Sequence, residues 1–128
     1  MTNEKREIPF GGVNDISQSL DETVLRIRLL NDDLRIRRLG GIVVITDGIA
    51  ALGPSTIRDI ISAITVFDGF TPENDPYGEH DCAVMTVVAI KIIWKIDYYD
   101  LTRRYHSTDP SDRNVTSRVM TIMRADEY

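Results

Sequence analysis

Cys82-Ala83-Val84-Met85-Thr86-Val87-Val88-Ala89-Ile90-Lys91-Ile92-Ile93-Trp94-Lys95-Ile96-Asp97-Tyr98-Tyr99 is the stretch that decides the fold. It is rich in β-branched and aromatic residues, which favour a pleated, half-buried backbone. In its second half the side chains alternate with the period of a strand. Ile92, Trp94, Ile96 and Tyr98 then share one face, the expected core face, and Lys91, Ile93, Lys95, Asp97 and Tyr99 share the other. The stretch is too long for one ordinary strand, so a hairpin should break it near Val88 to Lys91. No Gly, Asn or Asp stands there to supply the left-handed residues of a primed two-residue turn.

Immediately upstream lies Phe70-Thr71-Pro72-Glu73-Asn74-Asp75-Pro76-Tyr77-Gly78-Glu79-His80-Asp81, the densest polar segment of the chain. Its prolines and its Asn and Asp residues fix backbone geometry and place side chains reproducibly. Residues 68–81 carry Asp68, Glu73, Asp75, Glu79 and Asp81 and no Lys or Arg. That segment alone accounts for the net charge of −5, because the other 15 acidic residues (20 less five) balance 15 Lys and Arg. Acidity so concentrated suits a cation, a basic protein surface or a mimic of phosphate, and opposes duplex DNA at that face.

Further upstream, Ile57, Ile60, Ile61, Ile64 and Phe67 recur at helical spacing, with Pro54 or Ser55 to open the helix and Gly69 to end it. Ile42-Val43-Val44-Ile45-Thr46 is a short β-branched run expected as a buried strand, closed by a turn at Asp47-Gly48. Leu20, Val24, Ile27, Leu30 and Leu34 make the apolar stripe of an earlier helix. Ser19-Leu20-Asp21-Glu22 has capping-box spacing for its start, and Gly40-Gly41 suits its end. Arg26, Arg28, Asp32, Asp33, Arg35, Arg37 and Arg38 read as a solvated face laced with ion pairs. Residues 1–14 show no periodicity and read as a flexible arm, leaving 15–128 as one domain. Downstream, residues 106–114 form a second polar loop, and Val115, Val119, Ile122 and Met123 fit a last helix better than a strand. The expected fold is α+β: a small, mainly antiparallel sheet of about three strands packed with three helices, in the order helix, strand, helix, strand, strand, helix.

Composition excludes several classes. At 42% hydrophobic and 27% charged residues the chain is ordinary for a globular protein. The single cysteine, Cys82, forms no intramolecular disulfide and no zinc-finger spacing. No apolar run approaches the ~20 residues of a membrane span, and the start lacks the pattern of a signal segment. The expectation is a cytoplasmic protein with no membrane partner and no cofactor. Val88-Ala89-Ile90-Lys91 resembles the lysine strand of kinases, but no glycine-rich loop or catalytic loop accompanies it.

Phe70 to Asp81, Trp94-Lys95-Ile96-Asp97-Tyr98-Tyr99-Asp100, and Thr121-Ile122-Met123 with Glu127-Tyr128 together resemble a bacterial domain-of-unknown-function family of short proteins (number 3768). The similarity runs from about Val24 to the C-terminus. The resemblance implies no assigned activity, and implies an accessory gene of the kind found near plasmid or phage genes. The family usually has a small or aromatic-Gly pair after His-Asp and an Asp-Gly type of turn in the hairpin. In this chain Cys82-Ala83 and Val88-Ala89-Ile90 stand in those places.

Two functions from different classes fit. The first is a small non-enzymatic binding protein whose acidic loop, with the end of strand 95–100, engages a basic protein surface through Glu73, Asp75, Tyr77, Glu79, His80, Asp81, Asp97 and Tyr99. With the accessory-gene resemblance, one instance is an inhibitor of a bacterial defence complex (anti-CRISPR-like) or of another nucleic-acid-binding complex. A homodimer is among the assemblies left open. The alternative is a metal-assisted hydrolase in which Asp75, Glu79, His80 and Asp97 hold a divalent ion, although their spacing matches no established ligand pattern. A Cys82 and His80 nucleophile pair is weaker still, since a lone cysteine flanked by apolar residues is usually inert.

Overall fold

The computed structural model describes residues 11–128, with side chains from Glu22 onward. The expected arm therefore lies mostly outside the described residues. The elements are α1 (Gly11–Arg37), β1 (Ile42–Ile45), α2 (Asp47–Ala50), α3 (Pro54–Thr65), β2 (Cys82–Val87), β3 (Ile90–Tyr99) and β4 (Ser117–Arg124), followed by a 3-10 turn, Ala125–Glu127. The four strands form one sheet in the order β1-β4-β3-β2. Both β2–β3 and β3–β4 are antiparallel, and β1 joins the far edge parallel to β4. The fold is α+β with a mainly antiparallel sheet, and among the described residues it has four strands where about three were expected.

α1 is already helical at Gly11, the first described residue, so Ser19 lies within the helix and not at its start. No Pro or Gly interrupts it between Gly12 and Gly40. Arg35 and Arg37 in its last turn complement the negative end of the helix dipole. The chain then leaves through Arg38 and Gly40, both at positive φ. Gly41 is needed for a different reason: a Cβ there would collide with the backbone carbonyl of Arg118 in β4.

The C-terminal segment differs most from expectation. Val115 to Met123, expected as a helix, leads into and forms most of strand β4, which lies between β3 and β1. Both of its faces are occupied: Arg118, Met120 and Ile122 point one way, Val119 and Met123 the other, and all are buried. A strand buried on both faces shows a near-continuous apolar run instead of alternation, and such a run mimics helical spacing over nine residues. β1 differs in the other direction. It forms as expected but sits at the sheet edge, with Ile42, Val44 and Ile45 exposed by 38–39%. The turn expected at Asp47-Gly48 is the one-turn helix α2, capped by the Thr46 side chain, which accepts from Ile49 N–H. α3 opens on Pro54 as expected but ends at Thr65, before Gly69.

The hairpin closes where the sequence placed it. Val87 pairs with Ile90, leaving Val88 and Ala89 as a two-residue turn with φ of 50° and 63°. Ile92, Trp94, Ile96 and Tyr98 form the core face as expected. They pack with Ile27 and Leu34 of α1, Ile60 and Ile64 of α3, and Met120 and Ile122 of β4. Among the described residues no helix is long and apolar enough to cross a membrane.

Candidate functional site

The loop between α3 and β2 is built from local bonds that its residue types dictate. Thr71 N–H donates to Asn74 Oδ1 (2.8 Å), and Asn74 N–H returns a bond to Thr71 Oγ1 (3.2 Å). Asn74 Nδ2 donates to Gly69 O (2.9 Å), and Asp75 N–H to Thr71 O (2.8 Å). Asp75 Oδ1 then accepts from the His80 backbone N–H (3.2 Å), closing a second turn through Gly78. Gly78 (φ 71°) and His80 (φ 56°) both take left-handed backbone conformations. Glycine adopts that conformation freely, and histidine is among the residues enriched in it.

α1 holds this loop from one face. Arg28, Asn31, Asp32 and Arg35 stand at i, i+3, i+4 and i+7, so they line one stripe of the helix. Arg28 Nε donates to Gly78 O (2.6 Å) and Asn31 Nδ2 to Glu79 O (2.9 Å). His80 Nδ1 donates to Asp32 Oδ1 (2.9 Å), and Asp32 also pairs with Arg35 (3.0 Å). Arg35, 3% exposed, reaches on to the carbonyls of Ile64 (3.0 Å) and Phe67 (2.9 Å) at the end of α3. Phe70 lies flat on the His80 ring, with centroids 3.8 Å apart and 5° between planes, and the Arg35 guanidinium sits over the Phe70 ring. The arginines read as a solvated face are thus divided: Arg28 and Arg35 face inward, while Arg37 pairs with Asp33 on the surface.

Below the loop is a buried polar network. Asn31 is fully buried and donates to Tyr98 Oη (2.7 Å) while accepting from Arg118 Nε (2.7 Å). Tyr98 in turn donates to Glu79 Oε1 (2.7 Å). Burial, with the bond to Glu79, pushes the Tyr98 phenol well above its ordinary range, so it stays a donor. Burial pushes the Arg118 guanidinium downward; the ring of Tyr98 and the Pro110 carbonyl contact it.

The two sequence motifs therefore meet in space. Glu79 joins Tyr98, and Ile96 N–H donates to Asp81 O (2.7 Å). The candidate residues fall into separate groups. Glu73 and Tyr77 are exposed, and Tyr77 has 76% of its surface free. Asp75 is buried, and Glu79 and His80 are half-buried and bonded internally. Asp97 pairs with Lys95 (2.6 Å) on the sheet face opposite the core, beside half-buried Tyr99. The Lys95 ammonium is held above its usual range, chiefly by the bond to Asp97.

The Asp81 carboxyl is pushed above its ordinary range, chiefly because burial disfavours its charge, with Glu79, Asp75 and Asp97 repelling it as well. A carboxyl group that holds its proton more tightly in the folded state lowers stability once ionised. That cost is absent at pH values below the ordinary 3.8 and grows as pH rises through the folded-state value. Asp81→Asn should therefore raise the thermal midpoint at pH 7, with an advantage that shrinks toward pH 4. Scanning calorimetry across that range is the check, and an advantage that stays constant with pH would contradict burial of the charge as its cause.

Among the described residues no group of three His, Cys, Asp or Glu side chains is placed to hold a metal ion. Asp75, Glu79, His80 and Asp97 are directed instead to His80 N–H, Tyr98, Asp32 and Lys95. The Cys82 thiol is half-buried, and burial together with Asp81 and Asp75 pushes its pKa up, opposite to what a nucleophilic thiolate needs.

Asn31, Arg28, Asp32, Arg35 and Arg118 are the contributors that sequence reasoning missed. The signal for the first four was a polar stripe at helical spacing beside the apolar one; nothing marked Arg118 while β4 was read as a helix. No curated protein and no solved structure matches the chain. The model of the family described as "Protein of unknown function (DUF3768)" matches residues 45–127, which span everything from the end of β1 through the loop and the hairpin to the final turn. Matched over more than half of its length, the chain belongs to this family of proteins of unknown function.

Proposed function

We propose that the chain is a non-enzymatic binding protein that engages a basic partner through the tip of the 68–81 loop. One observation carries this reading: the loop divides its polar residues between two tasks. Asp75, Glu79 and His80 are spent on internal bonds that fix the backbone, while Asp68, Glu73 and Tyr77 project from that fixed backbone into solvent. A display ordered in advance loses little entropy when it binds. Exposed tyrosine supplies a large contact area with a polar tip, and carboxylates beside it complement lysine and arginine. A nucleic-acid-binding surface is a basic partner of this kind. The accessory-gene resemblance favours a chain that occupies such a surface and inhibits it, as in a bacterial defence complex.

The test is affinity capture from lysate of the source organism with the wild-type chain and with Glu73→Lys plus Tyr77→Ala, both shown to be folded by circular dichroism. The wild type should retain a basic protein whose recovery falls as salt rises. The double variant should bind that protein at least about tenfold more weakly, the loss expected for an interface anchor. Equal recovery by the two chains would overturn the proposal.

A further inference from the structure

Between α3 and the β1–β4 edge of the sheet lies a cavity of about 310 Å³, separate from the loop and made of different side chains. Buried Ile64, Met120 and Ile122 form its floor, half-buried Val43 and Ile61 its walls, and exposed Arg38 stands at its rim as the one polar lining residue. Its volume falls in the range of small-molecule sites, which are mostly apolar with a few placed polar groups.

Arg38 is positioned and not merely near. Its Nη1 donates to Arg35 O (2.9 Å) and to Thr65 Oγ1 (2.7 Å), which ties the guanidinium between the ends of α1 and α3. Among the described residues no carboxylate pairs with it, and its Nε and Nη2 donate to no protein group. A guanidinium fixed beside an apolar cavity, with one edge of its fork unused, matches a carboxylate bound through two parallel N–H bonds. We infer that this cavity binds an amphipathic monocarboxylate, a medium-chain fatty acid whose alkyl chain lies against Ile61, Ile64 and Ile122 and whose carboxylate sits on Arg38. A neutral lipid would fill the same walls but leave the one positioned charge without a partner.

The probes are decanoate and decanol, titrated into the full chain and followed by isoleucine methyl NMR and calorimetry. Decanoate should bind saturably, shift the methyls of Ile61, Ile64 and Ile122, and bind about tenfold more tightly than decanol, the difference one charge-assisted contact supplies. Arg38→Gln should bring acid and alcohol to similar affinity, Arg38→Lys should restore part of the preference, and Val43→Phe should weaken both by filling the cavity. Circular dichroism establishes that each variant is folded. The inference is overturned by any of three results: no saturable shift at these methyls, equal affinity of acid and alcohol for the wild type, or a preference that survives Arg38→Gln. Self-association through this groove that decanoate does not displace would overturn it as well.

Discussion

Asn31→Leu should lower the free energy of unfolding by about 3 kcal/mol. Asn31 bonds to Glu79, Tyr98 and Arg118 at once. Leucine keeps the branched heavy-atom skeleton of asparagine but is bulkier, so the loss combines the deleted hydrogen bonds with some crowding at a fully buried position. Arg118 is 2% exposed and would keep only the Pro110 carbonyl and the Tyr98 ring. A buried cation left short of acceptors costs far more than the net value of the bond removed. Urea unfolding should show the loss as a lower midpoint with an unchanged slope. Glu73→Gln, on the exposed tip of the same loop, should stay within about 0.5 kcal/mol of wild type. If Asn31→Leu is as mild as Glu73→Gln, the network does not hold the loop to the sheet.

The second large effect has the opposite sign. Val88→Asn with Ala89→Gly should stabilise the protein by about 2 kcal/mol. Both residues occupy the left-handed region, which costs L-residues with a Cβ roughly 1–2 kcal/mol each. A β-branched valine is among the least suited to it. Asn-Gly is the preferred pair for the primed turn that matches the twist of a two-residue hairpin. Val88 and Ala89 are exposed, so no packing is lost. The check is a higher urea midpoint and a higher melting temperature; no change would mean that the turn does not take this conformation in solution.

These two sites also show where the sequence was legible. Alternation in Ile92 to Tyr98 gave the core face of β3 because that strand has one buried and one half-exposed side. β4 was not legible for the complementary reason. Lying between two strands and buried on both faces, it shows no alternation, and its apolar residues fall by chance at helical spacing. β1 was read correctly as a strand, but its all-aliphatic run suggested an interior position that the topology does not give it. The loop was found because its composition is unusual. Its attachment was not, because the partners of Gly78, Glu79 and His80 lie 48 to 50 residues away on α1. Arginine and aspartate on a helix look the same in sequence whether they face water or a backbone carbonyl. Only the i, i+3, i+4, i+7 stripe of Arg28, Asn31, Asp32 and Arg35 distinguished the two.

At the centre of this account, the 68–81 loop is a fixed platform held by α1, from which Glu73 and Tyr77 are displayed. Hydrogen exchange of the free protein tests this most directly, because four amides along the loop have named acceptors within it. The amides of Asn74, Asp75, Gly78 and His80 donate to Thr71 Oγ1, Thr71 O, Asp75 O and Asp75 Oδ1. They should exchange far more slowly than a free chain, with His80 losing protection when Asp32→Ala removes its ring partner. Exchange of all four at the rate of an unstructured peptide would contradict the account.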